Sequence, residues 1–334
     1  MRCVLGAMGA EWAGVRSQDA AIERVVAATR DRVGDHPALS GVLDGLTGLL
    51  HDVSTQWSLV LGDVYTEGIG APVIAVEAAS EPAVLKIDRP GAALAAQVAT
   101  LTAAGGRGYA AVLAADVERG AVLMERLGPS LASRRLPPDA QLDHLAATLR
   151  LAWQVPLPPP ARSASTGAAG GLLDKADQLS GIVRRFRTPD DDERWGPALD
   201  RADELARHLS ASRGGIPVVW CHGDPHPGNA LQSNGIPRFK FVDPDGFGCE
   251  AEYDVRVTLR DFSRELLTRD AASARGWHDG LCERAAAATG TDVQRVRQWA
   301  FVERVTTGLY LRWFRDDETA ETFLDSAMLL VPTT

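Results

Sequence analysis

The sequence has few cysteines, and they are widely spaced. Cys3, Cys221, Cys249 and Cys282 form no Cys-x-x-Cys pair, so their spacing predicts no disulfide framework. A chain that does not depend on disulfides suits a reducing compartment. Residues 1–10 lack the basic start and the length of a secretory signal, and we therefore expect a cytoplasmic protein.

Long apolar segments and runs of basic residues are also missing. No stretch reaches the roughly 20 apolar residues of a membrane-spanning helix, so we predict no membrane partner. The formal net charge is −9, and an acidic chain without a basic stripe is poorly suited to bind a nucleic-acid backbone. The negative balance suits a cationic small substrate, although solubility alone would also explain it. A content of 45% hydrophobic and 24% charged residues is ordinary for a globular enzyme.

Hydrophobic periodicity divides the 334 residues into a β-rich half and a helical half. After two helices, at 17–33 and 38–57, the pattern predicts an antiparallel sheet of five strands with one inserted helix. The strands are Ser58–Tyr65, Pro72–Ala78, Ala83–Ile87, Tyr109–Ala114 and Ala121–Glu125, and the inserted helix is Ala92–Ala104. Helices then follow at 139–153, 172–187, 194–211, 253–268, 274–289, 292–315 and 318–330, with a loop at 155–171 and a short β element at 216–243.

This order predicts an α+β, bilobal architecture, because the βαβ alternation of a doubly wound sheet is absent. The break lies near 127–138, where a Gly-Pro-Ser tripeptide interrupts the pattern. We assign residues 1–37 to an N-terminal helical extension, 38–127 to a β-rich N-lobe and 128–334 to a mainly helical C-lobe.

The most informative stretch is Trp220–Asn229, which reads Trp-Cys-His-Gly-Asp-Pro-His-Pro-Gly-Asn. Phosphoryl transfer needs a carboxylate to orient and deprotonate the attacking hydroxyl, oxygen ligands for Mg²⁺ and a cation for the nucleotide phosphates. Protein kinases supply the first two with an Asp-x-x-x-x-Asn loop and a later Asp, and Asp224, Asn229 and Asp243 keep that order. An Asn-Gly pair at 234–235 predicts a tight hairpin with positive φ angles, which would turn Asn229 and Asp243 toward one metal ion.

These residues resemble the streptomycin 6-phosphotransferase group, the aminoglycoside/hydroxyurea kinase family of the aminoglycoside phosphotransferase superfamily. The likeness extends over about residues 38–330. Further similar segments are Gln56–Gly62 at the entry to the first strand, Pro82–Ile87 at the nucleotide-lysine strand, Glu118–Leu127 at the last N-lobe strand and hinge, and Glu252–Asp254 at the helix after the metal-binding Asp. The resemblance implies a protein-kinase-like fold with a nucleotide between its lobes.

The resemblance also implies roles for the residues that match the family pattern. Lys86 would contact the α- and β-phosphates of ATP or GTP, and Asp224 would be the catalytic base. Asn229 and Asp243 would bind Mg²⁺. Backbone groups of Glu125–Leu127 would meet the nucleobase.

Two features depart from a typical kinase pattern. Gly68 and Gly70 allow close backbone approach to phosphates, but the chain has no G-x-G-x-x-G loop. Kinases usually pair the lysine with a Glu on the following helix, whereas Ala92–Ala104 carries no carboxylate. Its polar candidate facing Lys86 is Gln97, whose amide can hydrogen-bond a lysine but cannot offset its charge. Lys86 would then depend on nucleotide phosphate or on a more distant carboxylate.

The two histidines of the loop have separate expected roles. Their i, i+4 spacing would suit zinc on a helix, but Pro225 and Pro227 preclude a regular helix there. We expect His222 to brace the loop through hydrogen bonds and His226 to lie close to the phosphates, with a purely structural role as the alternative. The acidic run at 188–194 is expected to be a solvated surface.

The sequence therefore predicts a Mg²⁺-dependent small-molecule O-phosphotransferase that uses ATP or GTP and acts as a monomer or weak dimer. Its expected acceptor is a hydroxyl of an aminoglycoside-type antibiotic such as streptomycin, and the family resemblance alone supports that choice. One alternative is a kinase for hydroxyurea, another antibiotic, a sugar or an amino alcohol. The other is a catalytically dead nucleotide-binding module, whose support is the missing helix Glu.

Overall fold

The structure, a computed structural model, describes residues 18–31, 43–65, 72–157, 175–314 and 316–332. The chain divides into two compact units. The N-terminal unit comprises Met1–Gly106 and Ala110–Leu127, and the C-terminal unit comprises Arg107–Tyr109 and Gly128–Thr334. The first contains a five-stranded sheet and the second is mainly helical, which confirms the predicted α+β class.

A five-stranded antiparallel sheet is the centre of the N-terminal unit, with the strand order β1-β2-β3-β5-β4. The strands are β1 (Leu59–Val64), β2 (Val73–Ala78), β3 (Glu81–Ile87), β4 (Val112–Asp116) and β5 (Ala121–Glu125). The helices of the described part are α1 (residues 18–31), α2 (Leu46–Gln56) and α3 (Ala92–Ala104). The predicted sheet with its inserted helix is therefore confirmed.

Apolar side chains of α1 and α2 share a core with the sheet. Ile22 and Val25 of α1, Leu50 of α2 and Leu85 of β3 are almost fully buried in it. Buried residues alternate with more exposed ones over much of β1 and β2, as expected for strands with one covered face. Because β3 lies between β2 and β5, the side chain of Lys86 emerges from an interior strand rather than from an edge.

Two boundaries in this unit differ from the predicted ones. The helix predicted at 38–57 begins at Leu46, because Gly45 adopts a left-handed conformation with φ 74° that precedes the first helical residue. The strand predicted from Tyr109 begins at Val112, and Tyr109 belongs to the C-terminal unit.

Helices make up most of the described part of the C-terminal unit. They are α4 (Pro138–Ala152), α5 (Lys175–Phe186), α6 (Pro189–Ala211), α7 (Ala251–Thr258), α8 (Ser263–Leu267), α9 (Ala271–Thr289), α10 (Val293–Trp313) and α11 (Asp317–Leu330). Trp195 of α6, Trp299 of α10 and Leu324 of α11 are buried in one core. Within the described ranges, no helix has both the length and the apolarity needed to cross a membrane.

The acidic run at 188–194 has a structural task that the sequence prediction missed. Helix α6 begins at Pro189 rather than at 194, and Thr188 is its N-cap. The Asp191 backbone N–H donates to the Thr188 side chain, and the Asp191 carboxylate accepts from the Thr188 backbone N–H. This capping box satisfies helix donors that would otherwise lack partners, so the prediction of a merely solvated surface was wrong for the buried Asp191.

Two short antiparallel strand pairs flank the segment between Cys221 and Ala230. Strand β6 (Val218–Cys221) pairs with β9 (Phe247–Glu250), and β7 (Ala230–Gln232) pairs with β8 (Phe239–Phe241). The β7–β8 hairpin was predicted, but its connection differs from the predicted tight turn.

The connection of this hairpin spans residues 233–238, and neither Asn234 nor Gly235 has a positive φ. The Ser233 backbone N–H donates to the carbonyl of Arg238 at 2.9 Å, which closes a longer loop. The predicted two-residue turn was therefore wrong, because backbone pairing between the ends of a six-residue loop replaced it.

The segment predicted as one helix at 253–268 is broken. Helix α7 ends at Thr258, a 3₁₀ turn covers Arg260–Phe262, and α8 starts at Ser263. Arg260, at the first position of the 3₁₀ turn, donates a hydrogen bond to Asp224.

Candidate active site

The loop that follows β6 is fixed by one buried carboxylate. Asp254, on the first turn of α7, accepts the backbone N–H of His222 at 2.8 Å on Oδ2 and that of Gly223 at 2.8 Å on Oδ1. The indole N–H of Trp153 donates to Oδ2 at 2.9 Å. Asp254 is fully buried, and a charged acceptor with three donors has its hydrogen-bonding capacity well used. Asp254 therefore sets the backbone direction immediately before Asp224.

His222 ties the same loop to the segment that follows the hairpin. The backbone N–H of Asp224 donates to His222 Nδ1 at 3.1 Å, which places the ring proton on Nε2. Nε2 then donates to the carbonyl of Val242 at 2.9 Å. The buried ring packs against Tyr109 and Phe241, with centroid distances of 5.9 Å and 4.9 Å. Both bonds are of the kind expected for a loop-bracing histidine.

Both the backbone conformation and the space around position 223 require a glycine. Its φ is +97°, which side chains with a Cβ rarely adopt. A Cβ at this position would lie 2.4 Å from Asp245 Oδ2. The backbone N–H of Asp245 donates to the carbonyl of His222 at 2.7 Å, which holds Asp245 in this position. The glycine thus allows the loop and the Asp-Pro-Asp-Gly segment to lie in direct contact.

Asp224 lies at the end of this braced loop with its side chain 43% exposed. Its Oδ1 accepts from Nη1 of Arg260 at 3.0 Å. Burial alone would raise the pKa of Asp224, but the positive charge of Arg260 lowers it below its ordinary value. The carboxylate is therefore ionised at neutral pH and can accept a proton.

His226 lies next to Asp224 and shapes the turn toward Asn229. Its Nδ1 accepts the backbone N–H of Gly228 at 3.1 Å, and Nε2 lies 3.7 Å from Asp224 Oδ2. Burial, together with Arg260, lowers the pKa of His226, although Asp224 acts in the opposite direction. The neutral ring therefore has a definite structural function in the loop.

Asn229 and Asp243 come together at the open end of the β7–β8 hairpin. The backbone N–H of Val242 donates to the carbonyl of Asn229 at 2.9 Å. Asp243 directly follows Val242, so this bond brings the backbone of Asp243 close to Asn229. The Asn229 amide nitrogen donates to the carbonyl of Asp224 at 2.9 Å, so its Oδ1 points away from that bond. Asp243 has φ 55°, a left-handed conformation that is uncommon for a residue other than glycine and is concentrated at functional sites.

These two residues fit Mg²⁺ better than a transition metal. Among the described residues, no group of three His, Cys, Asp or Glu side chains could hold a metal ion. A carboxylate and an amide oxygen are hard donors, and Mg²⁺ is usually bound by one or two protein ligands together with substrate phosphates. The donor chemistry of Asn229 and Asp243 matches that pattern.

In the N-terminal unit, Lys86 is held by two side chains close in sequence. Nζ donates to Gln97 Oε1 of α3 at 3.0 Å and lies 3.1 Å from Asp88 Oδ2. The backbone of Asp88 is fixed by a bond to the carbonyl of Gly120 at 2.8 Å. A Cβ on Gly120, which has φ +78°, would lie 2.0 Å from the Asp88 carbonyl oxygen. Asp88 is a partner that the sequence reasoning did not name.

The other predicted nucleotide-binding residues are Gly68, Gly70, Glu125 and Leu127. Gly68 and Gly70 lie outside the described residues. The Glu125 carboxylate accepts the backbone N–H of Ala111 at 2.8 Å, and Leu127 follows the end of β5 in irregular structure. Their assignment to the nucleobase stays a prediction.

Sequence reasoning missed the residues that surround Asp224. Arg260 contacts Asp224 directly, and the same Nη1 lies 3.2 Å from Glu303 Oε1. Glu303 is also bound by Nε of Arg256 at 2.9 Å. The sequence did carry one signal. Glu303 and Arg304 are two adjacent charged residues inside an otherwise apolar stretch of α10.

Two acidic residues at the junction of β9 and α7 have structural partners. Glu250 binds Arg295, with a distance of 2.7 Å between Oε1 and Nη2. Glu252 accepts the backbone N–H of Asp292 at 2.9 Å and helps to fix the start of α10.

The α+β fold is kinase-like. It holds the ionised Asp224 on a braced loop, and the hairpin that follows presents the amide of Asn229 and the carboxylate of Asp243. Together these features define a phosphotransferase of the kinase type. A model of the phosphotransferase enzyme family matches residues 64–291, which is more than half of the chain. The chain belongs to this family and is a kinase with a hydroxyl acceptor, which confirms the predicted membership of the aminoglycoside phosphotransferase superfamily.

Solved structures share the fold at low sequence identity. The aminoglycoside phosphotransferase APH(4)-Ia gives a TM-score of 0.57 at 14% identity, with 86% of this chain and 99% of that chain covered. A ternary complex of its thermostable mutant with ADP and hygromycin B gives 0.55 at 13% identity, covering 85% and 99%. An ethanolamine kinase of Plasmodium vivax gives 0.53 at 14% identity, covering 81% and 82%. No curated protein matches the chain.

Proposed function

We propose that this protein transfers the γ-phosphoryl group of ATP or GTP to a hydroxyl of an aminoglycoside-type antibiotic such as streptomycin, in a Mg²⁺-dependent reaction. The observation that carries the proposal is the state of Asp224. It is ionised, half-exposed and fixed at the end of a loop that Asp254 and His222 brace. The family supplies the reaction type, and these contacts supply a residue able to perform its proton transfer.

In the proposed reaction, Asp224 accepts the proton of the acceptor hydroxyl. A bond forms between the hydroxyl oxygen and the γ-phosphorus, and the bond between that phosphorus and the bridging oxygen breaks. The products are a phosphate monoester and ADP or GDP. Phosphoryl transfer through a loose transition state depends mainly on positioning and on charge stabilisation, for which a rigid loop is well suited.

Mg²⁺ would be held by Asp243 and by the amide oxygen of Asn229. Bound there, it would neutralise charge that develops on the phosphates. The hairpin and its bond between Val242 and Asn229 support this assignment, since they fix the two side chains at the same end of β7 and β8.

Lys86 would neutralise the α- and β-phosphates of the nucleotide. Its partners Gln97 and Asp88 fix the position of Nζ. We further propose that backbone groups of Glu125–Leu127 contact the nucleobase and that Gly68 and Gly70 approach the phosphates. A nucleoside triphosphate as co-substrate makes the cytoplasm the expected location of the reaction.

Two classes of cationic hydroxyl compound are candidates for the acceptor. Proteins of similar fold include an aminoglycoside phosphotransferase with ADP and hygromycin B and an ethanolamine kinase. The net charge of −9 suits a cationic acceptor of either kind. An amino alcohol such as ethanolamine is therefore the second candidate.

A catalytically dead nucleotide-binding module is disfavoured by the same contacts. Such a module has no need for an ionised carboxylate on a braced loop, nor for oxygen donors brought together by a hairpin. The missing helix Glu is compensated in part, because Asp88 supplies a carboxylate to Lys86.

The test is nucleotide consumption by purified protein with ATP or GTP, with and without Mg²⁺. The acceptor panel contains streptomycin, hygromycin B, hydroxyurea, ethanolamine and simple sugars. We expect turnover only with Mg²⁺ and an aminoglycoside, and none for Asp224→Asn. The variant Asp139→Asn, which changes an exposed carboxylate of α4, is the matched control. Turnover with ethanolamine alone would replace the acceptor, and nucleotide binding without any turnover would favour the dead module.

A further inference from the structure

Arg260 joins the proposed base to a buried acid. Its Nη1 donates to Asp224 Oδ1 at 3.0 Å and to Glu303 Oε1 at 3.2 Å. Its Nε donates to Asp261 Oδ1 at 3.3 Å. The side chain of Arg260 is only 17% exposed, so one guanidinium with three carboxylate contacts has little freedom to move.

Glu303 is the anchor of this arrangement. Its side chain is 7% exposed, and a buried carboxylate is costly unless it is paired. Arg256 pairs it on Oε2 at 2.9 Å and Arg260 on Oε1, while the Thr307 hydroxyl donates to Oε1 at 3.2 Å. Burial alone would raise the pKa of Glu303, but the two guanidinium groups lower it more. Glu303 is therefore ionised and holds Arg260.

The neighbouring residue Arg304 fixes the backbone from which Arg260 projects. Its Nη2 donates to the carbonyl of Leu259 at 3.0 Å, and its Nη1 donates to Ser263 and, at 3.2 Å, to Ser326. The Leu259 and Ser263 partners flank the 3₁₀ turn. Adjacent residues of α10 thus hold both the side chain and the backbone of the turn.

The consequence for Asp224 is a difference between its two oxygens. Oδ1 is bound by Arg260. Oδ2 lies 3.7 Å from His226 Nε2, which is longer than a hydrogen bond. A carboxylate held through one oxygen presents the other in a fixed direction.

We propose that Arg260 is a positioning residue of the phosphotransfer reaction, holding Oδ1 of Asp224 so that Oδ2 faces the acceptor hydroxyl, with Glu303 as its anchor. The inference rests on the proposed function, in which Asp224 takes the hydroxyl proton. An arginine beside a base weakens that base. This is compatible with a loose transition state, for which orientation of the hydroxyl matters more than base strength.

The first experiment measures the pKa of Asp224 by NMR in protein labelled with ¹³C at the aspartate carboxyl carbon. The Asp224 signal is identified by its loss in Asp224→Asn. We expect Arg260→Gln to raise this pKa, because a nearby positive charge favours the ionised carboxylate. Arg264→Gln, an exposed arginine of α8, is the control and should leave the pKa unchanged. An unchanged pKa in Arg260→Gln would overturn the inference.

The second experiment measures kinetics with the acceptor that the panel identifies. For Arg260→Gln we expect kcat to fall by about 10- to 100-fold, as misplacement of a reacting group does, with nucleotide KM within about 2-fold, since Arg260 acts through Asp224 alone. The acid limb of kcat/KM should move to higher pH together with the pKa of Asp224. A rise in nucleotide KM at constant kcat would assign Arg260 to phosphate binding and overturn the inference.

A double-mutant cycle between Arg260 and Glu303 tests the anchor. If Arg260→Gln does not fold, Arg260→Lys takes its place in the cycle. Glu303→Gln should lower kcat in the wild-type background and should have no further effect once Arg260 is changed, because Glu303 acts through Arg260. Arg260→Lys keeps the charge but loses the two-sided contact, and we expect an intermediate kcat. Additive effects would overturn the inference. If Asp224→Asn turns over within a few-fold of the wild-type rate, the role of Asp224 in the proposed function fails, whereas the NMR test of the contact between Arg260 and Asp224 still stands.

Discussion

The two units treat their central charges differently. Lys86 in the N-terminal unit contacts the neutral amide of Gln97 and the carboxylate of Asp88, which is two residues away in the sequence. Asp224 in the C-terminal unit begins a chain of alternating charges that continues through Arg260 and Glu303 to Arg256. The contact of Lys86 with Asp88 is local in sequence, whereas the charges around Asp224 join a loop, a turn and two helices.

Under the proposed function, the two groups have different demands. A phosphate-binding lysine needs to be placed but also needs charge left for its ligand, and an amide partner meets both needs. A base that must aim one oxygen at a hydroxyl needs a fixed geometry, and paired buried charges supply it at the cost of desolvation. The C-terminal site should therefore be more sensitive to conservative substitutions than the N-terminal one.

The largest combined effect on stability and activity is expected for Asp254→Asn. The amide would replace one acceptor oxygen with an N–H₂ group that faces the backbone donors of His222 and Gly223. We expect unfolding free energy to fall by about 2–4 kcal/mol and kcat by about 100-fold, since the loop would shift. Denaturant unfolding and steady-state kinetics are the measurements. The exposed Asp279→Asn of α9 is the control, and a variant with normal stability would show that Asp254 does not brace the loop.

A smaller effect is expected in the N-terminal unit. Lys86→Met should lower kcat/KM for the nucleotide by about 100-fold, as loss of a phosphate-facing charge does. Gln97→Leu should lower it only about 5-fold, because it removes one neutral hydrogen bond worth about 1 kcal/mol and leaves Asp88 in place. Initial rates at varied ATP and GTP test both.

The control for this pair is Arg119→Met, an exposed cation of the same unit. A loss for Gln97→Leu as large as that for Lys86→Met would contradict the comparison, because the amide would then be as important as the charge it accompanies.

The smallest expected effect is on the pH dependence of stability, and it comes from a histidine outside both sites. Burial, with Arg304 and Arg297 nearby, lowers the pKa of His278 to about 3. Below the ordinary histidine value of about 6.5, the unfolded chain binds a proton that the folded chain does not. Stability should therefore decline as pH falls from about 6.5, by about 2 kcal/mol at pH 5.

His278→Leu should remove that decline while it keeps the site filled. Urea unfolding at several pH values between 7 and 5 measures it, with His208→Asn at an exposed position of α6 as the control. An equal decline in wild type and His278→Leu would assign the acid sensitivity to another group.

Much of the fold could be predicted because it depends on local periodicity. The inserted helix Ala92–Ala104 and the strand Ala121–Glu125 have the predicted bounds. The turn at Asn234 failed because pairing at the loop ends took precedence over local turn chemistry. The single helix predicted at 253–268 failed because hydrophobic spacing does not reveal a 3₁₀ interruption.

Part of the candidate site could likewise be predicted from a local sequence pattern, and part depends on tertiary packing. The order of Asp224, Asn229 and Asp243 is a sequence pattern, and it was visible. The contact of Arg260 with Asp224 crosses 36 residues and that with Glu303 crosses 43. Such contacts depend on how the turn and α10 pack, and no local pattern encodes them.

The most direct test of the central claim is the rate of phosphoryl transfer in a single turnover, measured by rapid quench at saturating acceptor and labelled nucleotide. We predict that Asp224→Asn slows this step by about 1,000-fold, within the range of general base catalysis, while the nucleotide Kd stays within about 2-fold. A transfer rate within a few-fold of wild type would contradict the assignment of Asp224 as the base.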